Sequence, residues 1–117
     1  MAQVVAFVDD LFFQSKLAET ARHVGVELKF VSTGGAFLEE IARGNPRLAI
    51  VDLNARQGPV ESIEQLRASG NSTPLVAFLS HVQVELAERA RAAGAEQVMP
   101  RSKFTQNLAT ILAGAKS

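Results

Sequence analysis

Three aspartates follow apolar runs at two separate places in this chain of 117 residues. Val4–Val8 runs into Asp9 and Asp10, and Leu48–Val51 runs into Asp52. Short apolar runs of this kind, rich in β-branched residues and bounded by polar ones, are typical of buried parallel strands. In an open α/β sheet, ligands bind beyond the carboxyl ends of the strands, at the switch in strand order. The three carboxylates are therefore expected to converge on one crevice, where Mg²⁺ would relieve their mutual repulsion.

The strands that would position these aspartates alternate with segments of helical periodicity. Five strands are expected, at Gln3–Asp9, Val26–Ser32, Arg47–Asp52, Pro74–Leu79 and Gln97–Met99. Such alternation predicts a doubly wound parallel sheet with right-handed crossovers and helices on both faces. No linker or repeat interrupts the pattern, so residues 1–117 are expected to form a single α/β domain.

Five helices are expected after these strands, each placed by apolar spacing and by residues that start or stop a helix. The first helix is expected to bury one apolar stripe and to stop at Gly25. The stripe consists of Phe13, Leu17, Ala21 and Val24. Ser32 or Thr33 is expected to cap the second helix and Gly44 to stop it. The second to fifth helices are expected at Ala36–Arg43, Val60–Ala68, Val82–Ala93 and Thr105–Ala115.

Composition removes several classes of function. Twelve basic and twelve acidic side chains cancel, which gives no basic footprint for a nucleic acid. The chain has no cysteine, so disulfides and thiolate metal sites are excluded. No apolar stretch has the length of a membrane span and no charged leader precedes an apolar core. We therefore expect a soluble, cytoplasmic protein that binds neither nucleic acid nor membrane.

Two more polar residues end predicted strands: Ser80 follows the fourth and Arg101 follows the fifth. An acid pair, a single acid, a hydroxyl and a cation thus end strands one, three, four and five. In this order they resemble the receiver domain of bacterial response regulators, in particular single-domain receivers of the chemotaxis-regulator type. The resemblance covers the whole chain and implies a flavodoxin-like sheet of five strands in the order 2-1-3-4-5.

The resemblance also implies roles for these residues. Asp52 would accept a phosphoryl group from a histidine kinase or a phosphotransfer protein. Asp9, Asp10 and Asp52 would bind Mg²⁺ together with the backbone carbonyl of Asn54, and Ser80 would bond the attached phosphoryl group. Output would pass to a downstream protein by contact, the chain being a monomer or a weak homodimer and not an enzyme in its own right.

The chain departs from the family's pattern in the part of the site that senses the phosphoryl group. Arg101 stands where receivers carry a lysine, and Lys103 is the second candidate for that cation. Arginine keeps the charge, but its planar fork differs from an ammonium in reach and geometry. His81 replaces a small residue after Ser80, and Val98 replaces the aromatic residue of the fifth strand. The metal-binding residues match the family, whereas the switch residues are altered.

Two other functions stay open. The chain could be a pseudo-receiver, an interaction module that keeps the fold without being phosphorylated. It could also be a small flavodoxin-like hydrolase that uses its acids with a metal, although it has no glycine-rich phosphate loop. Simpler roles exist too, because Asp10 or Ser80 could only cap a backbone end. Phe12 lies off the apolar stripe of its helix, and it either packs on a neighbouring loop or contributes to a partner-binding patch.

Overall fold

The computed structural model describes residues 2–80 and 83–116, in which strands and helices alternate as the sequence predicts. The strands are β1 Val4–Phe7, β2 Leu28–Val31, β3 Leu48–Asp52, β4 Leu75–Leu79 and β5 Gln97–Pro100. The helices are α1 Leu11–Val24, α2 Gly34–Gly44, α3 Pro59–Ala68, α4 Val84–Ala93, α5 Arg101–Gln106 and α6 Leu108–Ala113. All neighbouring strands are parallel and lie in the order β2-β1-β3-β4-β5. The expected flavodoxin-like α/β fold is confirmed.

The core consists of two layers, because successive side chains of a strand point to opposite faces of the sheet. One layer joins β1, β3 and β4 to α1, α5 and α6, and its buried residues include Val4, Ala6, Leu17, Ile50, Phe78, Phe104, Leu108 and Leu112. The other joins the same strands to α2, α3 and α4 through Val5, Phe7, Phe37, Ile41, Val51, Ile63, Leu66 and Ala90. Both faces of the sheet are therefore covered by helices, as the continuous apolar runs require.

The signals for the end of α1 and the start of α2 are confirmed, whereas the signal for the end of α2 is not. Gly25 ends α1 in the left-handed conformation at φ 88°, and the Thr33 side chain caps α2 by accepting from the Ala36 N–H. The expected stop at Gly44 is wrong by one residue. Gly44 is the last residue of α2, and Asn45 takes the left-handed conformation at φ 46° instead. Asparagine tolerates this conformation better than other residues with a side chain, which allows α2 to continue through the glycine.

The C-terminal helix differs from the prediction. It begins at Arg101 rather than Thr105, and Asn107 divides it into α5 and α6. The Asn107 side chain donates to the Lys103 carbonyl at 2.9 Å and so competes with the helical backbone at the division. Because the helix begins earlier than predicted, Arg101 lies in its first turn and directly follows β5.

Smaller differences concern the ends of other elements. β1 ends at Phe7, two residues before the predicted end, although the Val8 N–H still donates to the Val31 carbonyl at 3.2 Å. The described part of the fourth helix begins at Val84, while Val82, its predicted first residue, lies outside the described residues. Among the helices of residues 2–80 and 83–116, none combines the length and the apolar character needed to span a membrane.

Candidate functional site

The side chains of Asp10, Asp52 and Arg101 meet beyond the carboxyl ends of β1, β3 and β5. β1 and β3 are neighbours in the sheet, but their following helices α1 and α3 pack on opposite faces. The crevice therefore lies at the switch in strand order, where open α/β sheets bind ligands. Of the three aspartates expected to converge, Asp10 and Asp52 face each other across this crevice, with an arginine between them.

Asp10 caps α1 and faces the arginine with its second oxygen. Its Oδ1 accepts from the backbone N–H groups of Phe12 at 3.0 Å and Phe13 at 3.2 Å. Its Oδ2 lies 3.3 Å from Nη2 and 3.4 Å from Nη1 of Arg101. The Phe13 N–H bond is the main cause that lowers the pKa of Asp10; burial opposes it, and the charge of Arg101 lowers the pKa further. The Asp10 carboxylate thus caps α1 with one oxygen and contacts Arg101 in the crevice with the other.

Asp52 is the last residue of β3 and only 3% exposed. Its Oδ1 accepts from the Asn54 N–H at 2.9 Å, and its Oδ2 lies 3.6 Å from Nη2 of Arg101. Burial is the main cause that raises the pKa of Asp52, and the charges of Asp9 and Asp10 add to it. The Asn54 hydrogen bond and the Arg101 charge oppose this rise without cancelling it. Asp52 therefore loses its proton less readily than an ordinary aspartic acid.

Arg101 is positioned by aromatic rings as well as by the two acids. Its guanidinium carbon lies 4.3 Å from the centre of the Phe13 ring and 5.6 Å from that of Phe78. Both distances are within the range of cation–π attraction. Its Nε is buried and has no hydrogen-bond partner among the described residues. Stacking on the rings and the contacts of the terminal nitrogens with the two acids therefore fix the direction of this side chain.

Asp9 points towards a different partner. Its Oδ2 accepts from the backbone N–H of Arg56 at 3.1 Å and lies 3.8 Å from the Arg56 Nε. This contact ties the end of β1 to the loop between β3 and α3. No local pattern in the sequence indicates a bond between residues so far apart in the chain.

Asn54 joins the loops that follow β3 and β4. Its Oδ1 accepts from the backbone N–H of Ser80 at 2.7 Å and from the Ser80 hydroxyl at 2.9 Å. Its Nδ2 donates to the Gln83 side chain at 3.0 Å. Ser80 is exposed beside the crevice, whereas His81 lies outside the described residues. The sequence alone does not indicate this contact of Gln83, because it depends on the fold of the loop after β4.

The two candidate cations separate clearly. Arg101 lies between Asp10 and Asp52, while the exposed Lys103 borders a cavity of about 530 Å³ together with Arg47 and Thr110. The structure thus brings Arg101, and not Lys103, to the acids.

The oxygen ligands expected for Mg²⁺ are of the right chemical type, but their present arrangement does not fit the ion. In residues 2–80 and 83–116, no group of three or more acidic, histidine or cysteine side chains is placed to bind one metal together. Asp9 faces Arg56, and the Oδ2 atoms of Asp10 and Asp52 face Arg101. A divalent ion would need the same oxygens that the arginine now contacts.

The raised pKa of Asp52 predicts how stability changes with pH. The folded protein keeps this proton to a higher pH than the unfolded chain, so ionisation of Asp52 opposes folding once the pH exceeds the unfolded value of about 3.9. We expect Asp52→Asn to raise the free energy of unfolding by about 1 kcal/mol at pH 7.5. The gain should disappear as the pH falls to about 4.

Urea unfolding of both proteins at the two pH values measures this difference. Glu64→Gln removes one exposed carboxylate and is the matched control, with little expected effect. An Asp52→Asn protein that is less stable than wild type at pH 7.5 would contradict this account of Asp52.

The chain was compared with known proteins by sequence and by structure. No protein-family model and no curated protein sequence matches it. Solved structures do match. The Francisella response regulator 1452 receiver domain superimposes with a TM-score of 0.82 at 14% identity, covering 98% of this chain and 96% of that one. The receiver domain of the putative response regulator NarL from Mycobacterium tuberculosis gives a TM-score of 0.80 at 19% identity, covering 99% and 97%.

A third structure agrees with these two. The signal receiver domain of the putative Luxo repressor protein from Vibrio parahaemolyticus gives a TM-score of 0.79 at 19% identity, and the match covers 97% of this chain and 92% of that one. Similarity at this level of identity concerns the fold, and it extends over nearly the whole length of each chain. The chain therefore has the receiver fold of response regulators.

Proposed function

We propose that this chain is a receiver module of a two-component phosphorelay, in which Asp52 accepts a phosphoryl group and the signal passes on by protein–protein contact. One observation carries the proposal. Asp52 ends the central strand β3 with one oxygen bonded to the Asn54 N–H and the other turned towards the cation of Arg101. A carboxylate with one fixed oxygen, one reactive oxygen and a neighbouring cation is suited to phosphoryl transfer, which depends mainly on positioning and charge neutralisation.

In this proposal, the Oδ2 atom of Asp52 attacks the phosphorus of a phosphohistidine in a histidine kinase or phosphotransfer protein. A P–O bond forms, the P–N bond breaks, and the histidine nitrogen leaves with the electron pair. Arg101 is within reach of the new phosphoryl oxygens and could bind two of them with its planar fork. The Ser80 hydroxyl, now bonded to Asn54, would turn to a third oxygen.

The proposal retains Asp9, Asp10, Asp52 and the backbone carbonyl of Asn54 as ligands of Mg²⁺. When bound there, the ion would neutralise charge on the carboxylates and on the incoming group. Its binding requires a rearranged crevice, because Arg101 contacts the two oxygens that would face the ion.

A second candidate is an interaction module that is never phosphorylated. The observation that favours it is the burial of Asp52, only 3% exposed, behind the Arg101 side chain. A nucleophile so enclosed must become accessible before a donor can reach it.

Incubation with acetyl phosphate or phosphoramidate and Mg²⁺, followed by intact-mass measurement, separates the two candidates. We expect the wild-type chain to gain one phosphoryl group and Asp52→Asn to gain none. Glu61→Gln, which removes an exposed carboxylate of α3, should be labelled like the wild type. Labelling that persists in Asp52→Asn would place the acceptor elsewhere, and absence of labelling in every protein would favour the interaction module.

A further inference from the structure

We infer that Arg101 is a resident cation of this crevice, one that neutralises Asp10 and Asp52 in the metal-free protein and competes with a divalent ion for the same two oxygens. The inference rests on the proposed function only in taking this crevice as the functional one. Arg101 would thereby lower the affinity of this crevice for Mg²⁺, an effect that the side-chain types alone do not reveal.

Arg101 lies close to the two carboxylate oxygens that a divalent ion would use. The Nη2 atom of Arg101 lies 3.3 Å from Oδ2 of Asp10 and 3.6 Å from Oδ2 of Asp52, so one nitrogen faces both carboxylates. Mg²⁺ binds carboxylate oxygens at about 2.0–2.1 Å in a nearly octahedral shell. An ion bound to these two oxygens would share their space with a guanidinium of the same sign of charge. The arginine must therefore withdraw before the ion can bind both acids.

Contacts with aromatic rings also hold Arg101 in the crevice. Its guanidinium stacks on Phe13 at 4.3 Å and lies 5.6 Å from the Phe78 ring, contacts that do not depend on the acids. Phe13 belongs to the first turn of α1, the helix that Asp10 caps, so ring and carboxylate are positioned together. Arg101 itself starts α5 directly after β5.

Asp9, which would have to supply a further oxygen to the ion, is also paired with an arginine. Its Oδ2 accepts from the Arg56 N–H at 3.1 Å and lies 3.8 Å from that residue's Nε. Within the described residues, two arginines thus contact the three aspartates, and the cluster is largely neutralised without a metal.

Mg²⁺ titration of the whole chain, followed by amide chemical shifts, tests this inference. We expect Arg101→Gln to bind Mg²⁺ about tenfold or more tightly than the wild type, because the competing charge is gone. Arg89→Gln is the matched control: it makes the same change of charge at a residue paired with Glu61 on the surface, and its affinity should stay within about twofold of wild type. Equal affinities for Arg101→Gln and wild type, or weaker binding by the variant, would overturn the inference.

A second variant and a second readout protect the test against a folding defect. Arg101→Lys keeps the charge but loses the stacking fork, so its Mg²⁺ affinity should lie between those of wild type and Arg101→Gln. In thermal unfolding, Mg²⁺ should raise the midpoint of Arg101→Gln relative to EDTA and leave that of the wild type almost unchanged. If Mg²⁺ raised the wild-type midpoint as much as that of the variant, Arg101 would not be competing with the ion. None of these measurements involves phosphoryl transfer. An Asp52 that is never labelled would therefore contradict the proposed function without affecting the inference about Arg101.

Discussion

Replacing Phe78 with alanine is expected to lower the free energy of unfolding by about 3–5 kcal/mol, the usual cost of deleting a buried phenyl ring. Phe78 is fully buried in β4. Its ring stacks on Phe104 at 4.5 Å between centroids and contacts Phe13 at 5.1 Å. Loss of this ring leaves a cavity between the sheet and the helices α1 and α5, directly beneath Arg101.

The chain offers a matched control for this substitution. Phe12 is 92% exposed, so Phe12→Ala should change stability by no more than about 0.5 kcal/mol. Urea unfolding of the two variants compares the same chemical deletion in the core and on the surface. A Phe78→Ala cost below about 1 kcal/mol, or a Phe12→Ala cost of similar size to that of Phe78→Ala, would show that the aromatic layer is not packed as described.

Arg67→Ala is expected to lower the free energy of unfolding by about 2–3 kcal/mol. The Arg67 side chain, 19% exposed, joins the two loops at the amino-terminal ends of β4 and β5. It donates to the carbonyls of Asn71 at 3.1 Å, Thr73 at 2.9 Å and Gly94 at 3.1 Å. It also pairs with both oxygens of Glu96. Truncation removes donors from several carbonyls at once, which explains a cost above that of a single surface pair.

Arg89→Ala is the comparison for this prediction. Arg89 and Glu61 form an ion pair in which both side chains are 61% exposed, and such pairs contribute only about 0–1 kcal/mol. Arg67→Lys should recover little of the lost stability, since an ammonium cannot reproduce the fork of bonds. Equal effects of Arg67→Ala and Arg89→Ala in chemical denaturation would mean that the loop contacts of Arg67 contribute nothing.

The sheet and most of the helices could be predicted because their signals are local and repeated. The apolar runs of β1, β3 and β4 are fully buried, as continuous runs in a parallel sheet must be. The stripe of α1 and its stop at Gly25 follow from helical period and from the conformational freedom of glycine. The strand order came from the resemblance to receivers, since alternation alone does not determine it.

The residues at the strand ends could be predicted as site residues, but their contacts with one another could not. These contacts depend on long side chains that reach across the fold. Arg101 contacts Asp10 from 91 positions away, and Arg56 contacts Asp9 from 47 positions away. No periodic pattern encodes the rotamer of an arginine, which here follows from its stacking on Phe13. The division of the last helix has a local cause, since the Asn107 side chain bonds to the backbone there.

The most direct test of the proposed receiver function is a titration with beryllium fluoride and Mg²⁺, an analogue of the attached phosphoryl group, followed by amide chemical shifts. The proposal predicts shifts that saturate and are largest at Asp52, Asn54, Ser80 and Arg101. Because Val98 replaces the aromatic residue that receivers carry there, changes along α4 and the rest of β5 should be small. The Asp52→Asn protein should show none of these shifts. An unresponsive wild-type protein, or the same response in Asp52→Asn, would contradict Asp52 as the phosphoryl-accepting residue.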